Sequence, residues 1–250
     1  MEPNRTHRPV EAFSPERLRT QQIGPGYAEL CVTSNFTFLT GASHPEELMT
    51  RAAELGLAAI AITDRNSLAG VVRAWSALKE LRREAGVQIR SHQRIDPSSR
   101  QDIGNAATLE KPATPILPKL IVGCRLVLRD SQTDWIALPR DRIAYSRLTR
   151  LLTLGKRRAP KGECHLDTKD LLASCRGMTL IALPQSELKT AIPDIRRMQQ
   201  AFPHHVFLGA APRYDGSDQA YLAACAHTAQ VTSAPMVAVG DVLMHRASRR

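Results

Sequence analysis

The stretch SHPEELMTRAAELGLAAIAITDRNSLAGVVRAWSALKELRREAG, residues 43–86, decides the fold class. It opens on a helix signature over 43–56. Ser43 stands where an N-cap belongs, Glu46 follows at capping-box spacing, Pro45 lies in the first turn and Gly56 is a natural stop. LAAIAIT (57–63) is short and wholly apolar, as expected of a parallel strand buried on both faces. A second helix is predicted over 68–86, where Leu68, Val71, Val72, Trp75, Leu78 and Leu81 recur at helical spacing and Gly86 ends the pattern. Helix, buried strand and helix in succession are the unit of a parallel α/β protein.

The same alternation extends outward. AELCVT (28–33) reads as a strand before this unit, and residues 1–26, polar and basic with Pro and Gly, as a flexible lead-in. Residues 87–118 hold no sustained period and four prolines, and read as a surface insertion. Strands are predicted at 119–128, 134–139, 178–183, 205–210 and 235–242. Helices are predicted at 141–155, 167–175 and 218–229, with a segment near 186–202 interrupted by Pro193. KRRAPKG (156–162) reads as a basic loop. About seven strands result, most separated by helices. Both a barrel and an open doubly wound sheet fit this order, because no G-x-G-x-x-G follows the first strand.

Composition narrows the function classes. The 250 residues carry 34 Lys and Arg against 24 Asp and Glu, a formal charge of +10 that favours a polyanionic partner, nucleic acid above all. Aromatic residues make up only 4%, which argues against a single-strand binder built from many stacking platforms. No apolar run approaches the roughly 18–20 residues needed to span a bilayer, and no signal peptide is visible, so no membrane partner is expected. Cys31, Cys124, Cys164, Cys175 and Cys225 are scattered and odd in number, which suits a reducing cytoplasm.

In either α/β architecture chemistry sits at the carboxyl ends of strands. Four such ends stand out: Cys31-Val32-Thr33-Ser34-Asn35, Thr63-Asp64-Arg65-Asn66, Gly123-Cys124-Arg125 and Gly240-Asp241-Val242-Leu243. Taken with residues 35–74, LIVGCRL (120–126) and RLTRLLTLGKRRAPKGECHL (147–166), the chain from Tyr27 onward resembles the N-terminal PHP domain of bacterial C-family DNA polymerases, in the error-prone, damage-inducible subgroup. The resemblance implies an α/β fold, a distorted seven-stranded β/α barrel over 27–250. The chain ends soon after the seventh expected strand without a last helix to cover it, which we read as a truncated end of the barrel.

Active members of that family hold two or three metal ions on His, Asp and Glu at these strand ends and hydrolyse phosphoesters, in keeping with the need to activate water and neutralise a leaving oxyanion. Carried onto this sequence, the resemblance implies a degraded site. Cys31 and Thr33 stand for the His-x-His pair, Asp64 survives beside Arg65, Arg125 replaces a glutamate, and Asp241 is kept while Leu243 replaces the last histidine. Arginine offers fixed charge and no lone pair, so Arg65 and Arg125 are expected to pair with Asp64 and Asp241 in place of metal. No catalytic residue and no cofactor are expected in this chain. The resemblance implies that the complete family enzyme extends DNA across damage with Mg2+ held by carboxylates in a downstream palm domain, which nothing in these residues is expected to supply; DNA, and other replication or damage-response proteins, are the implied partners.

Outside the strand ends, Lys156, Arg157, Arg158 and Lys161 form the densest basic run, either a solvated loop or a phosphate-contacting one. Arg246, Arg249 and Arg250 form a second basic run. His165 lacks the convergent partners a zinc site wants, and His245, four residues past Asp241, is a candidate neighbour of the old site. A free-standing phosphoesterase and a non-catalytic DNA- or protein-binding remnant stay open as alternatives.

Overall fold

A computed structural model describes residues 26–93, 116–185 and 187–249. Most of the expected lead-in and residues 94–115 of the expected insertion lie outside the described residues. The element order is β1 (Ala28–Val32), α1 (Pro45–Glu54), β2 (Ala59–Ile62), α2 (Ala69–Gln93), β3 (Lys119–Val122), β4 (Cys124–Leu126), β5 (Thr133–Pro139), α3 (Arg142–Arg157), α4 (Thr168–Ser174), β6 (Met178–Pro184), α5 (Leu188–Ala201), β7 (Val206–Ala210), α6 (Asp218–Thr232) and β8 (Met236–Ala238).

These strands make two sheets, β1-β2-β3 and β4-β5-β6-β7-β8. The first is wholly parallel, whereas β5 runs antiparallel to both β4 and β6. Two seams join the sheets into a ring. Beyond β2, Arg65 pairs with Arg125 of β4, and the Arg125 N–H donates to the Asp64 carbonyl at 3.2 Å. Beyond β8, Val242 pairs with Val32 of β1, and the Thr33 N–H donates to the Val242 carbonyl at 2.8 Å. The closed ring is the expected distorted barrel. It has eight named strands because the run 119–128 is divided at Gly123, where a Cβ would lie 2.7 Å from side-chain carbons of both Leu138 and Thr63.

Alternation along each strand sorts the apolar side chains into layers. Ala61, Ile136, Leu138, Ile181 and Leu183 fill the barrel interior with Cys31 and Val239. Their neighbours Trp135, Ala137, Leu180 and Ala182 face outward against α3, α4, α5 and α6. Ile60 and Ile62 meet Leu48, Met49, Ala74 and Leu78 of α1 and α2. Both faces of β2, β5 and β6 are therefore buried, which is why these strands read as continuous apolar runs.

Several local expectations are corrected. α1 is capped one residue later than predicted: Glu47, not Glu46, accepts from the His44 N–H at 2.8 Å, because the buried Ser43 hydroxyl is engaged by His245 at 2.8 Å. α2 passes Gly86 to Gln93, since Gly86 keeps helical dihedrals where Gly56, at φ 67°, turns left-handed and ends α1. The first seven residues of the expected insertion are thus helical. Lys156 and Arg157 belong to the last turn of α3 rather than to a loop. Pro193 sits inside a continuous α5; it lies on the exposed face, while Ala191, Ile195 and Met198 bury the other. Trp135 is fully buried. Trp135→Ala is expected to cost about 3–5 kcal/mol, measured by urea denaturation.

Candidate functional site

Each strand-end residue reaches the barrel mouth through the alternation of its strand. Cys124 and Leu126 point outward into the helical layer, so Arg125 between them points in. On β5, Trp135 is outward and Asp134 inward; β5 is antiparallel and presents its amino end at this mouth. The Arg125 guanidinium bridges two carboxylates, Nε to Asp134 Oδ2 at 2.8 Å and Nη1 to Asp241 Oδ1 at 2.9 Å. Burial alone would lower the guanidinium pKa, yet Asp241, Cys31 and Asp134 hold it above its ordinary value. The Cys31 thiol donates to the same Asp241 oxygen at 3.3 Å. Burial, with the Asp241 carboxylate beside it, pushes that thiol well above its ordinary pKa.

Asp64 has a different neighbourhood from the one expected. It pairs with no arginine among the described residues; it accepts from the Ser34 N–H at 2.8 Å, the Ser34 hydroxyl at 2.9 Å and the Thr37 hydroxyl at 3.0 Å. Its carboxylate lies against the start of α2, where a Cβ on Gly70 would come within 2.5 Å of Oδ2. Burial raises the Asp64 pKa, and hydrogen bonds from Ser34, Thr37 and Gly70 offset only part of that rise. Asp64 thus ties the loop after β1 to α2, a structural task. The Arg65 side chain is exposed, and its backbone N–H donates to the Thr37 hydroxyl at 3.0 Å.

A cavity of about 200 Å³ occupies the mouth, lined by Thr33, Thr37, Arg65, Arg125, Asp134, Gln185, Asp241 and Leu243 among others. Thr33 is 1% exposed and its hydroxyl has no hydrogen-bond partner among the described residues. Among the described residues, no group of three or more His, Cys, Asp or Glu side chains is arranged to hold a metal ion. A cationic guanidinium stands between the Asp134 and Asp241 carboxylates, and Thr33 and Leu243 supply at most one hydroxyl. This donor set does not fit a two- or three-metal phosphoesterase centre.

The other candidates disperse. His245 is buried against Ser43 and lies 3.8 Å from Glu47, away from the mouth. Arg249 pairs with Glu47 and Arg246 lies 3.6 Å from Glu54, which docks the C-terminal segment on α1; Arg250 lies outside the described residues. His165 pairs with Glu163 at 2.9 Å. The basic run divides: Arg158 bonds Asp170 at 2.6 Å, whereas Lys156 and Lys161 line a separate cleft of about 720 Å³ together with Arg65 and Arg129. Arg157 does not line that cleft. Sequence reasoning missed Asp134 and Arg129. The first lies at the start of a strand rather than at its end; no local signal marks the second.

Removing the bridge strands buried charge. Arg125→Ala is expected to destabilise the fold by about 3 kcal/mol, and Arg125→Lys by less, since one ammonium cannot fork between two carboxylates; urea titration of the three proteins measures this. The thiols provide a second check. Burial pushes Cys124 and Cys175 up to about 12 and raises Cys31 and Cys225 as well, so thiolate is scarce at mildly alkaline pH. Cys164, only partly buried, is expected to react first with a disulfide reagent, and the other four only on unfolding.

Residues 29–214 match the PHP domain family. A protein from Ruegeria pomeroyi named error-prone DNA polymerase is 73% identical over 90% of this chain, which covers 20% of that protein. Relatives of the same name from Rhodopseudomonas palustris and Brucella abortus are 39% and 38% identical over 90% of the chain, covering 18% of each. The chain thus spans about a fifth of the length of the curated relatives it matches. A solved structure from Bifidobacterium adolescentis, provisionally assigned as a metal-dependent phosphoesterase, superposes with a TM-score of 0.52 at 11% identity, covering 90% of both chains, a likeness of fold. The chain belongs to the PHP domain family, and its sequence kinship within that family is with the PHP domains of error-prone DNA polymerases.

Proposed function

We propose that this chain is the PHP portion of an error-prone DNA polymerase and serves it as a metal-free, non-catalytic scaffold. The observation that carries the reading is the Arg125 bridge to Asp134 and Asp241, which puts a permanent cation where a phosphoesterase needs anionic and neutral metal ligands. A hydrolytic site must bind ions that arrive and hold water. This mouth satisfies its carboxylates internally.

In this reading the polymerase activity, with its Mg2+, belongs to parts of the enzyme outside these residues. That enzyme acts in translesion synthesis, DNA repair and damage-induced mutagenesis in the cytoplasm, and its PHP portion adds positive potential near the DNA. The formal charge of +10 supports that placement. Among the described residues no helix is long and apolar enough to cross a membrane.

Elemental analysis of the purified chain tests the scaffold assignment. Substoichiometric zinc, manganese and iron are expected, with no turnover of a generic phosphomonoester when Mn2+ is added. Stoichiometric metal, or metal-dependent turnover abolished by Asp64→Asn, would make the domain a phosphoesterase instead.

A further inference from the structure

Beside the mouth lies an opening of different electrostatic character. In the small cavity Arg125 is matched by Asp134 and Asp241. The 720 Å³ cleft adjoins it through Thr37 and Arg65, and there the balance tips positive. Arg65, Lys156 and Lys161 line it, and none of the three is in an ion pair among the described residues. Arg129 is already held by Asp167 through bonds of 3.0 and 2.9 Å, and the lining carboxylate Glu163 is engaged by His165.

Two of the chain's five phenylalanines, Phe36 and Phe38, line the same cleft. Phe38 is 85% exposed. The turn that presents it is braced from beneath. The Thr37 N–H donates to the Ser34 carbonyl at 3.0 Å, the Gly41 N–H to the Thr37 carbonyl at 3.1 Å, and the Thr37 hydroxyl to buried Asp64. A large apolar ring on a pre-organised turn costs little ordering entropy when it is covered. Cations alone would suit any polyanion, and an exposed ring alone would suit a protein. The two together select a ligand with phosphates and accessible ring faces. A duplex hides its base faces, and an unpaired strand shows them.

We propose that this cleft binds single-stranded nucleic acid, with a base stacked on Phe38 and the flanking phosphates against Lys156, Lys161 and Arg65. The inference rests on the reading that the domain works beside DNA, and it names the form of DNA that is touched. The low aromatic content excludes a long array of stacking platforms; it does not bear on one braced ring beside three cations. A cleft of this volume is of the size that takes a small ligand, on the order of one or two nucleotides.

Fluorescence anisotropy of the purified chain with a short labelled oligothymidylate, across a salt series, tests the proposal. Phe38→Ala is expected to weaken binding roughly 5- to 100-fold, while an abasic strand of equal length binds the variant and the unaltered chain alike. Lys156→Ala combined with Lys161→Ala is expected to reduce the slope of log affinity against log salt by about 1.4. Equal affinity of Phe38→Ala for oligothymidylate, duplex binding as tight as single-strand binding, or an unchanged salt slope would each overturn the assignment. So would thymidine monophosphate binding as tightly as the strand, which would make the cleft a free-nucleotide pocket. These results are independent of metal content, so either proposal can fail while the other stands.

Discussion

One guanidinium, that of Arg125, sits between Asp134 and Asp241, and the closure of the barrel converges on it. Arg125 belongs to the seam between β4 and the segment beyond β2, and Asp241 precedes the Val242 seam beyond β8. The bridge therefore spans the two places where the sheets are joined by single backbone pairings rather than by full ladders. A buried ion pair yields little net stability over an apolar substitute, yet removing one partner is costly. That asymmetry ties the three residues to one another. Carboxylates gathered without a cation would repel; beside Asp134 and Asp241 that cation is Arg125, covalently part of the chain.

The same arithmetic of charge separates two neighbouring spaces. In the mouth, one guanidinium is paired with two carboxylates, Cys31 donates into the same network, and Asp64 accepts from Ser34 and Thr37. In the adjoining cleft, Lys156 and Lys161 meet Arg65, and these cations face solvent. Arg65 lies at the boundary, its backbone in the seam and its side chain lining both spaces. The two arginines thus have different surroundings: Arg125 is absorbed into an ion-paired network, and Arg65 faces the open cleft.

Much of the fold was legible because both faces of the central strands are buried, which leaves apolar runs such as LAAIAIT with no polar alternation to confuse their reading. The strand-end residues were legible by resemblance, as Cys31, Thr33, Asp64, Arg125, Asp241 and Leu243 do reach one mouth or its walls. Their pairing was only partly legible. Arg125 finds Asp241 as expected, but Asp64 takes hydroxyl and amide donors instead of Arg65, and the second anion on Arg125 is Asp134. A rule that searches the carboxyl ends of parallel strands passes over Asp134, because β5 enters the mouth by its amino end.

By itself the sequence determined the alternation of helices with buried strands and the excess of positive charge, since each follows from residue identity and short-range spacing. Tertiary structure alone decided which cation meets which anion. The run from Lys156 to Lys161 shows this: Arg158 turns to Asp170 on α4, while Lys156 and Lys161 join Arg65 from a distant strand end. Ion pairing depends on distances of a few ångströms between groups far apart in the chain, and only closure of the barrel sets those distances.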